Sequence, residues 1–530
     1  MKAIRRIICA VLMLASLLPA LSGCGKQPEV TFRAALVGRV DTLDPALAED
    51  PAEQTLVQHL YENLMKCQTD AEGTVTAVGA VARTWQCRDN LDGTETYTFS
   101  LRADARWMDG KAVTAEDFVY AWRHLVDPAL DSPYASLLDM VSGYDAARKG
   151  DPAALAVTAV DSATLEVALS CHCPYFLRTV CTASATMPQR GDLAYKLESG
   201  TAGNGAYTVS DREDTCLTLA ASERYYDRRR LGPDRLELYV CADSASAASL
   251  LSEKKVQMVC GVDDPSVTDE TWCASPVPQV ELLLINQMAQ KLADKGLRRA
   301  LSLAVDRAAL SSLAGEGRYV PAQGLIPYGV LTSDGAVFRT MEDASVSQEQ
   351  YEENCAEARQ ILTDAGITQE SISGVTILYR TGGGESAVAA ALRGMWLDQL
   401  GLEVKLRGVS AEEMEHALRQ GEYSIALWYQ SGDRNDASVF LQRWISGGTE
   451  NTAQFHSSAY DTLLRAAAVS SSAAARDAYL KDAEQLLLEQ GNVIALYTPL
   501  RLWYADSGAA GLQSVGWGVW RFHGVYMIAG

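Results

Sequence analysis

Residues 97–128 read YTFSLRADARWMDGKAVTAEDFVYAWRHLVDP, and this stretch decides the fold. Tyr97, Phe99 and Leu101 alternate with Thr98, Ser100 and Arg102, the two-residue period of a strand buried on one face. Asp109-Gly110 is a turn signal, because glycine accepts positive φ without a Cβ clash. Thr114 stands three residues before Asp117, a capping-box pair that puts an acid in the positive first turn of a helix. Phe118, Trp122 and Leu125 follow at helical spacing, and Pro128 forbids continuation. The segment is a strand, a turn and a helix.

Its wording, L-R-x-D-A-x-W-x-D-G-K-x-V-T-A-x-D-F from Leu101 to Phe118, resembles a segment of the extracytoplasmic oligopeptide-binding proteins, solute-binding family 5. These are the receptors of ABC importers. Further phrases agree along most of the chain: Leu43-Asp44-Pro45, Leu60-Tyr61-Glu62-Asn63-Leu64 with Asn63 in the place of a glycine, Asn204-Gly205-Ala206-Tyr207, Tyr225-Tyr226, and Ala300 to Arg307. The resemblance implies an α/β, bilobed periplasmic-binding-protein-like fold of type II, in the large cluster with an extra subdomain. It implies an oligopeptide ligand, an ABC permease as partner, no cofactor and no catalysis.

The N-terminus indicates export. Lys2, Arg5 and Arg6 precede an apolar run, Ile7 to Ala20, too short to span a membrane comfortably. Leu21-Ser22-Gly23-Cys24 looks like a bacterial lipobox, so residues 1–23 are read as a lipoprotein signal peptide and Cys24 as the acylated first residue. An ordinary secretory signal is the alternative. Acyl chains would hold the protein on the outer face of the cytoplasmic membrane. Loss of Lys2, Arg5 and Arg6 moves the net charge from −21 to −24. That acidity excludes nucleic acid as a partner, since phosphate neutralisation needs a basic face.

Of twelve cysteines, Cys9 leaves with the signal and Cys24 carries lipid. An exported protein can oxidise the rest, and Cys67 with Cys87, or Cys260 with Cys273, are plausible bridges. Cys171-His172-Cys173 lacks the C-x-x-C spacing of a zinc site, and no metal is expected there.

Lobe I is assigned to residues 24–70, 191–281 and 495–530, an extra subdomain to 71–190, and lobe II to 282–494. A helix is expected over 55–65, a hairpin turn at Asn204-Gly205, and one helix over 297–313. Strands over 375–379, 402–406 and 423–429 alternate with helices over 387–400 and from Ser410 to Gly421, the pattern of a helix-covered sheet. The last strand is placed at 493–497. Two connections between lobes constrain their motion to a hinge.

Catalytic motifs are few. Ser252-Glu253-Lys254-Lys255 satisfies S-x-x-K, but no K-T-G strand accompanies it. Gly382-Gly383-Gly384 lacks a following Gly-Lys-Ser/Thr. A peptidase or transpeptidase-like enzyme remains the alternative from another class.

Ligands in α/β lobes gather beyond strand ends, which draws attention to residues 427–436, LWYQSGDRND. In the family the matching segment carries an aspartate that holds the peptide's α-ammonium. Counting back from Phe440-Leu441 puts that role on Asp433, although two extra residues separate it from Trp428 and Ala437 replaces a proline. Trp428, Tyr429 and Asn435 join it as ligand-binding candidates. The resemblance adds Glu49 and Tyr134 as cleft residues. The family's arginine for the peptide carboxylate has no counterpart, since Ile425 stands there. A monomer binding oligopeptide is expected, with nickel, haem or an oligosaccharide as alternative ligands of this fold.

Overall fold

The computed structural model describes residues 29–528 except Ala194, 196–202, Pro265, 267–270 and 342–346. Residues 1–23 and Cys24 therefore lie outside the described residues. Among the described residues no helix is long and apolar enough to cross a membrane.

The opening segment folds as its pattern dictates. Glu95–Leu101 is a strand, and Ala115–Val126 is a helix whose Thr114–Asp117 capping box is formed. Asp117 also accepts a 3.0 Å bond from Trp107 Nε1, and Trp122 Nε1 donates to the Thr186 carbonyl at 2.9 Å. Phe118, Trp122 and Leu125 are fully buried. The strand is central in a four-stranded antiparallel sheet ordered Ala82–Asp89, Glu95–Leu101, Thr164–Leu169, Val157–Asp161. The core of this sheet is continuous with that of the lobe beneath it, joining Phe99 and Trp122 to Phe32, Tyr207 and Phe522.

The main sheet has twelve strands and runs through both lobes. In one lobe Thr31–Val37 pairs in parallel with Arg235–Cys241 and Met258–Val262. In the other, Gln279–Ile285 is flanked antiparallel by Ile425–Ser431 and by the long strand Val493–Ala505. Leu282 and Leu284 face one core of this lobe, whereas Leu283 and Ile285 face the other, as a strand covered on both sides requires.

Val493–Ala505 belongs to both lobes. Val493 to Tyr497 pair with Gln279–Ile285, while Leu500 to Ala505 pair with Cys273–Pro276 and Met258–Val262. The change of partner falls at Pro276-Val277-Pro278 and at Pro499. Prolines there interrupt the ladder by lacking a donor.

Several local expectations are corrected. The helix expected over 55–65 runs Pro51–Leu60: Asp50 caps it, with Glu53 completing a capping box, and Met65 already begins a strand. The helix expected over 297–313 is two, Lys295–Leu303 and Arg307–Gly315, because Asp306 accepts from Ala309 N and starts a new one. The strand expected over 402–406 lies at Lys405–Val409, and the one expected to stop at Tyr497 continues to Ala505.

Among the described residues Asn204-Gly205 makes no hairpin. Asn204 instead brackets Glu62, accepting from its N–H at 3.0 Å and donating to its carbonyl at 2.9 Å. Neither proposed disulfide forms, and the ten cysteines among the described residues are all free. Cys260 and Cys273 both pair with Trp503, from opposite edges of its strand. Two strand spacings, about 9.6 Å, exceed the reach of a disulfide. Cys67 Sγ lies 3.5 Å from the Arg178 carbonyl, while Cys87 is exposed on another sheet.

Candidate functional site

A cleft of about 570 Å³ opens between the lobes. Glu49, Tyr134, Asp433 and Asn435 line it, together with Gln54, Arg178, Arg434, Arg501 and Trp517. Four of the six sequence-derived candidates thus converge from three distant segments.

Each is positioned by its element. The capping box at Asp50 and Glu53 fixes the loop ahead of helix Pro51–Leu60, leaving the Glu49 side chain exposed. Glu53 accepts from the Glu49 and Asp50 N–H groups at 3.0 and 3.2 Å. Tyr134 donates its hydroxyl to the Ala48 carbonyl at 3.0 Å and accepts from Gln54 Nε2 at 2.7 Å. Burial pushes its pKa up to about 12, so it is a neutral phenol. Asn435 Oδ1 accepts from Leu331 N at 2.8 Å and ties the loop after strand Ile425–Ser431 to its own lobe.

That loop is anchored below the cleft by a buried ion pair. Arg476 donates to both oxygens of Asp436 at 2.7 and 3.0 Å, and Ser438 N donates to Asp436 at 2.9 Å. Asp436 is fully buried, which opposes ionisation, yet Arg476 and Ser438 hold its pKa below the ordinary carboxylate value.

Asp433 already has partners. Ser136, from the opposite lobe, donates to its Oδ2 at 2.6 Å, and Arg434 Nε donates to Oδ1 at 3.1 Å. Arg434 also forks onto Asp139 across the cleft at 2.8 and 2.7 Å. Burial opposes the charge of Arg434, but Asp139 and Asp433 keep its pKa above the ordinary guanidinium value. Asp433 and Asp139 thus share one guanidinium, and Glu49 lines the cleft from the lobe opposite Asp433.

Trp428 and Tyr429 are placed differently. They stack on each other, centroids 5.1 Å apart, within the strand that leads to Asp433. Arg380 lies over both rings at 5.4 and 5.2 Å, and neither ring is among the residues that line the cleft. Arg178 was not legible in sequence. It spans the lobes by donating to the carbonyls of Thr332 and Ser333 at 2.7 and 3.3 Å. Arg434 was also missed as a site residue, although the Asp-Arg doublet was a usable signal.

His172 does not join its flanking cysteines in a site. Its Nδ1 sits 2.5 Å from the buried Glu95 carboxylate, which also accepts from Cys173 N at 3.0 Å. The metal-capable grouping among the described residues is Cys87, Asp89 and Glu95. It lies on the four-stranded sheet and contributes nothing to the cleft lining.

The periplasmic murein peptide-binding protein MppA of Escherichia coli (strain K12) is 28% identical over 471 residues, covering 86% of this chain and 85% of the relative. The oligopeptide-binding protein OppA of Bacillus subtilis (strain 168) is 25% identical over 510 residues, covering 92% and 90%. The unliganded open form of MppA overlays with a TM-score of 0.80 at 25% identity, covering 94% of this chain and 98% of that one. A second structure of the Escherichia coli protein overlays at 0.67, covering 95% and 99%. The family model of bacterial extracellular solute-binding proteins, family 5 Middle, matches residues 43–452. With two lobes sharing one hinge strand and a cleft between them, the chain belongs to the family 5 bacterial extracellular solute-binding proteins.

Proposed function

We propose that this protein is the substrate-binding lipoprotein of an ABC importer. It captures short peptides outside the cell in the interlobe cleft and hands them, unaltered, to a membrane permease. Acylated Cys24 holds it on the outer face of the cytoplasmic membrane, where it works as a monomer. Relatives named for murein peptide and oligopeptide binding support peptide as the ligand class. The observation that carries the reading is the Asp433 carboxylate on the cleft lining, set beside polar groups of both lobes.

In this reading the peptide's α-ammonium takes its place against Asp433, and closure desolvates the pair. Most remaining affinity comes from backbone hydrogen bonds, which tolerate varied side chains. Charge-assisted bonds of this kind strengthen as water is excluded. Removing one partner of a desolvated charge pair costs about 2–5 kcal/mol, a loss of roughly thirtyfold or more. Calorimetry with a free-amine peptide and its N-acetyl analogue tests this. Asp433→Asn should weaken the free-amine peptide by that factor and leave the acetylated one nearly unchanged. Equal affinity of both proteins for the free-amine peptide would remove Asp433 from the site.

A further inference from the structure

The cleft contains a second charged feature, opposite in sign to Asp433. Arg501 stands on the hinge strand Val493–Ala505, where its backbone pairs with Ser275, and its side chain lines the cleft. The other two cleft arginines are committed: Arg434 to Asp139 and Asp433, and Arg178 to two backbone carbonyls. Among the described residues the Arg501 guanidinium has no hydrogen bond and no ion pair within 4.0 Å. Five N–H donors in a rigid fork seldom stay idle when partly buried.

The chain makes room for this arginine. Gly518 has φ +87°, and a Cβ there would meet Arg501 Cδ at 2.6 Å. The stem of Arg501 therefore lies across a backbone position that only glycine leaves open. The preceding residue, Trp517, has φ +55°, a conformation that a bulky residue adopts at a cost. Trp517 also lines the cleft, so backbone strain and an unpaired cation meet on one wall. Burial lowers the Arg501 pKa, while the through-space attraction of Asp50 and Asp263 partly restores it. Those two carboxylates stabilise the charge without occupying its donors.

We infer that Arg501, seated over Gly518 beside Trp517, is the receptor for a carboxylate of the bound ligand. This rests on the peptide reading above and extends it: the cleft receives a zwitterion, ammonium at Asp433 and carboxylate at Arg501. It also provides a carboxylate partner that the sequence alone did not reveal, since Ile425 occupies the position where an arginine was sought. Arginine suits the task because its fork matches both carboxylate oxygens.

The carboxylate could belong to the peptide's C-terminus or to an acidic side chain, and the experiment separates them. The full mature chain is incubated with three libraries of tri- to pentapeptides: free acids without Asp or Glu, the same sequences as C-terminal amides, and amides carrying one glutamate. Retained peptides are quantified by mass spectrometry. The wild type should retain free acids at least tenfold better than plain amides, and recovery in the glutamate amides would assign the contact to a side chain. In Arg501→Gln the preference for a carboxylate should vanish, while the loss on N-acetylation persists. Equal retention of all three libraries by the wild type, or a preference unchanged in Arg501→Gln, would overturn the inference and leave the peptide reading standing. No retention of any library would overturn both. The wild-type comparison needs no variant, so misfolding of Arg501→Gln would not rescue the idea.

Discussion

Glu281 shows how a single residue can be costly to the fold. It lies on strand Gln279–Ile285 opposite Tyr429 and Tyr497. Burial pushes its pKa from 4.5 up to about 7, against the lowering effect of a 2.6 Å bond from Gln279. Between those two values the folded protein keeps a proton that the unfolded chain has released. Stability contributed by this group therefore falls as pH rises through that window. Glu281→Gln should stabilise the protein at pH 8 but not at pH 4.5, by on the order of 2–3 kcal/mol. Urea midpoints at the two pH values measure this, and an equal effect at both would show that Glu281 is not strained. At the same scale, Asp433 was legible because its segment could be counted back from Phe440-Leu441. Arg501 was not, because its meaning depends on Gly518 and on what fails to pair with it.

Among elements, the strand-turn-helix of residues 97–128 was readable because period, turn and cap agree there. Helix ends at 51 and 304 were missed because the deciding caps, Asp50 and Asp306, lay outside the apolar pattern. The full length of Val493–Ala505 was hidden because its partners in the two lobes come from different parts of the chain. The Asn204-Gly205 pair misled for a related reason: its glycine is required by tertiary contact. A Cβ at Gly205 would lie 2.5 Å from both the Leu60 carbonyl carbon and the Tyr61 nitrogen. Backbone at a helix end cannot yield as a flexible side chain does. Gly205→Ala should destabilise the protein by about 1–3 kcal/mol, the usual cost of overpacking. Chemical denaturation with an unchanged m-value would confirm a native-state effect, whereas an unchanged midpoint would mean the chain relaxes there freely.

The whole molecule is two lobes on a proline-marked hinge, already bridged across the cleft by Ser136 to Asp433, Asp139 to Arg434, and Arg178 to Thr332 and Ser333. These contacts join the two lobes and leave Asp433 and Asp139 sharing the single guanidinium of Arg434. In the proposed reading, closure on a zwitterionic peptide would set its ammonium against Asp433 and its carboxylate against Arg501, tying ligand capture to lobe movement. Native mass spectrometry tests this account most directly. The mature chain, incubated with a mixed library of free tri- to pentapeptides and transferred without denaturation, should show one-to-one adducts at the masses of intact peptides. The unbound fraction should contain no new fragments. Absence of any peptide adduct, or the appearance of cleavage products, would contradict the central claim that this cleft binds peptides and passes them on unchanged.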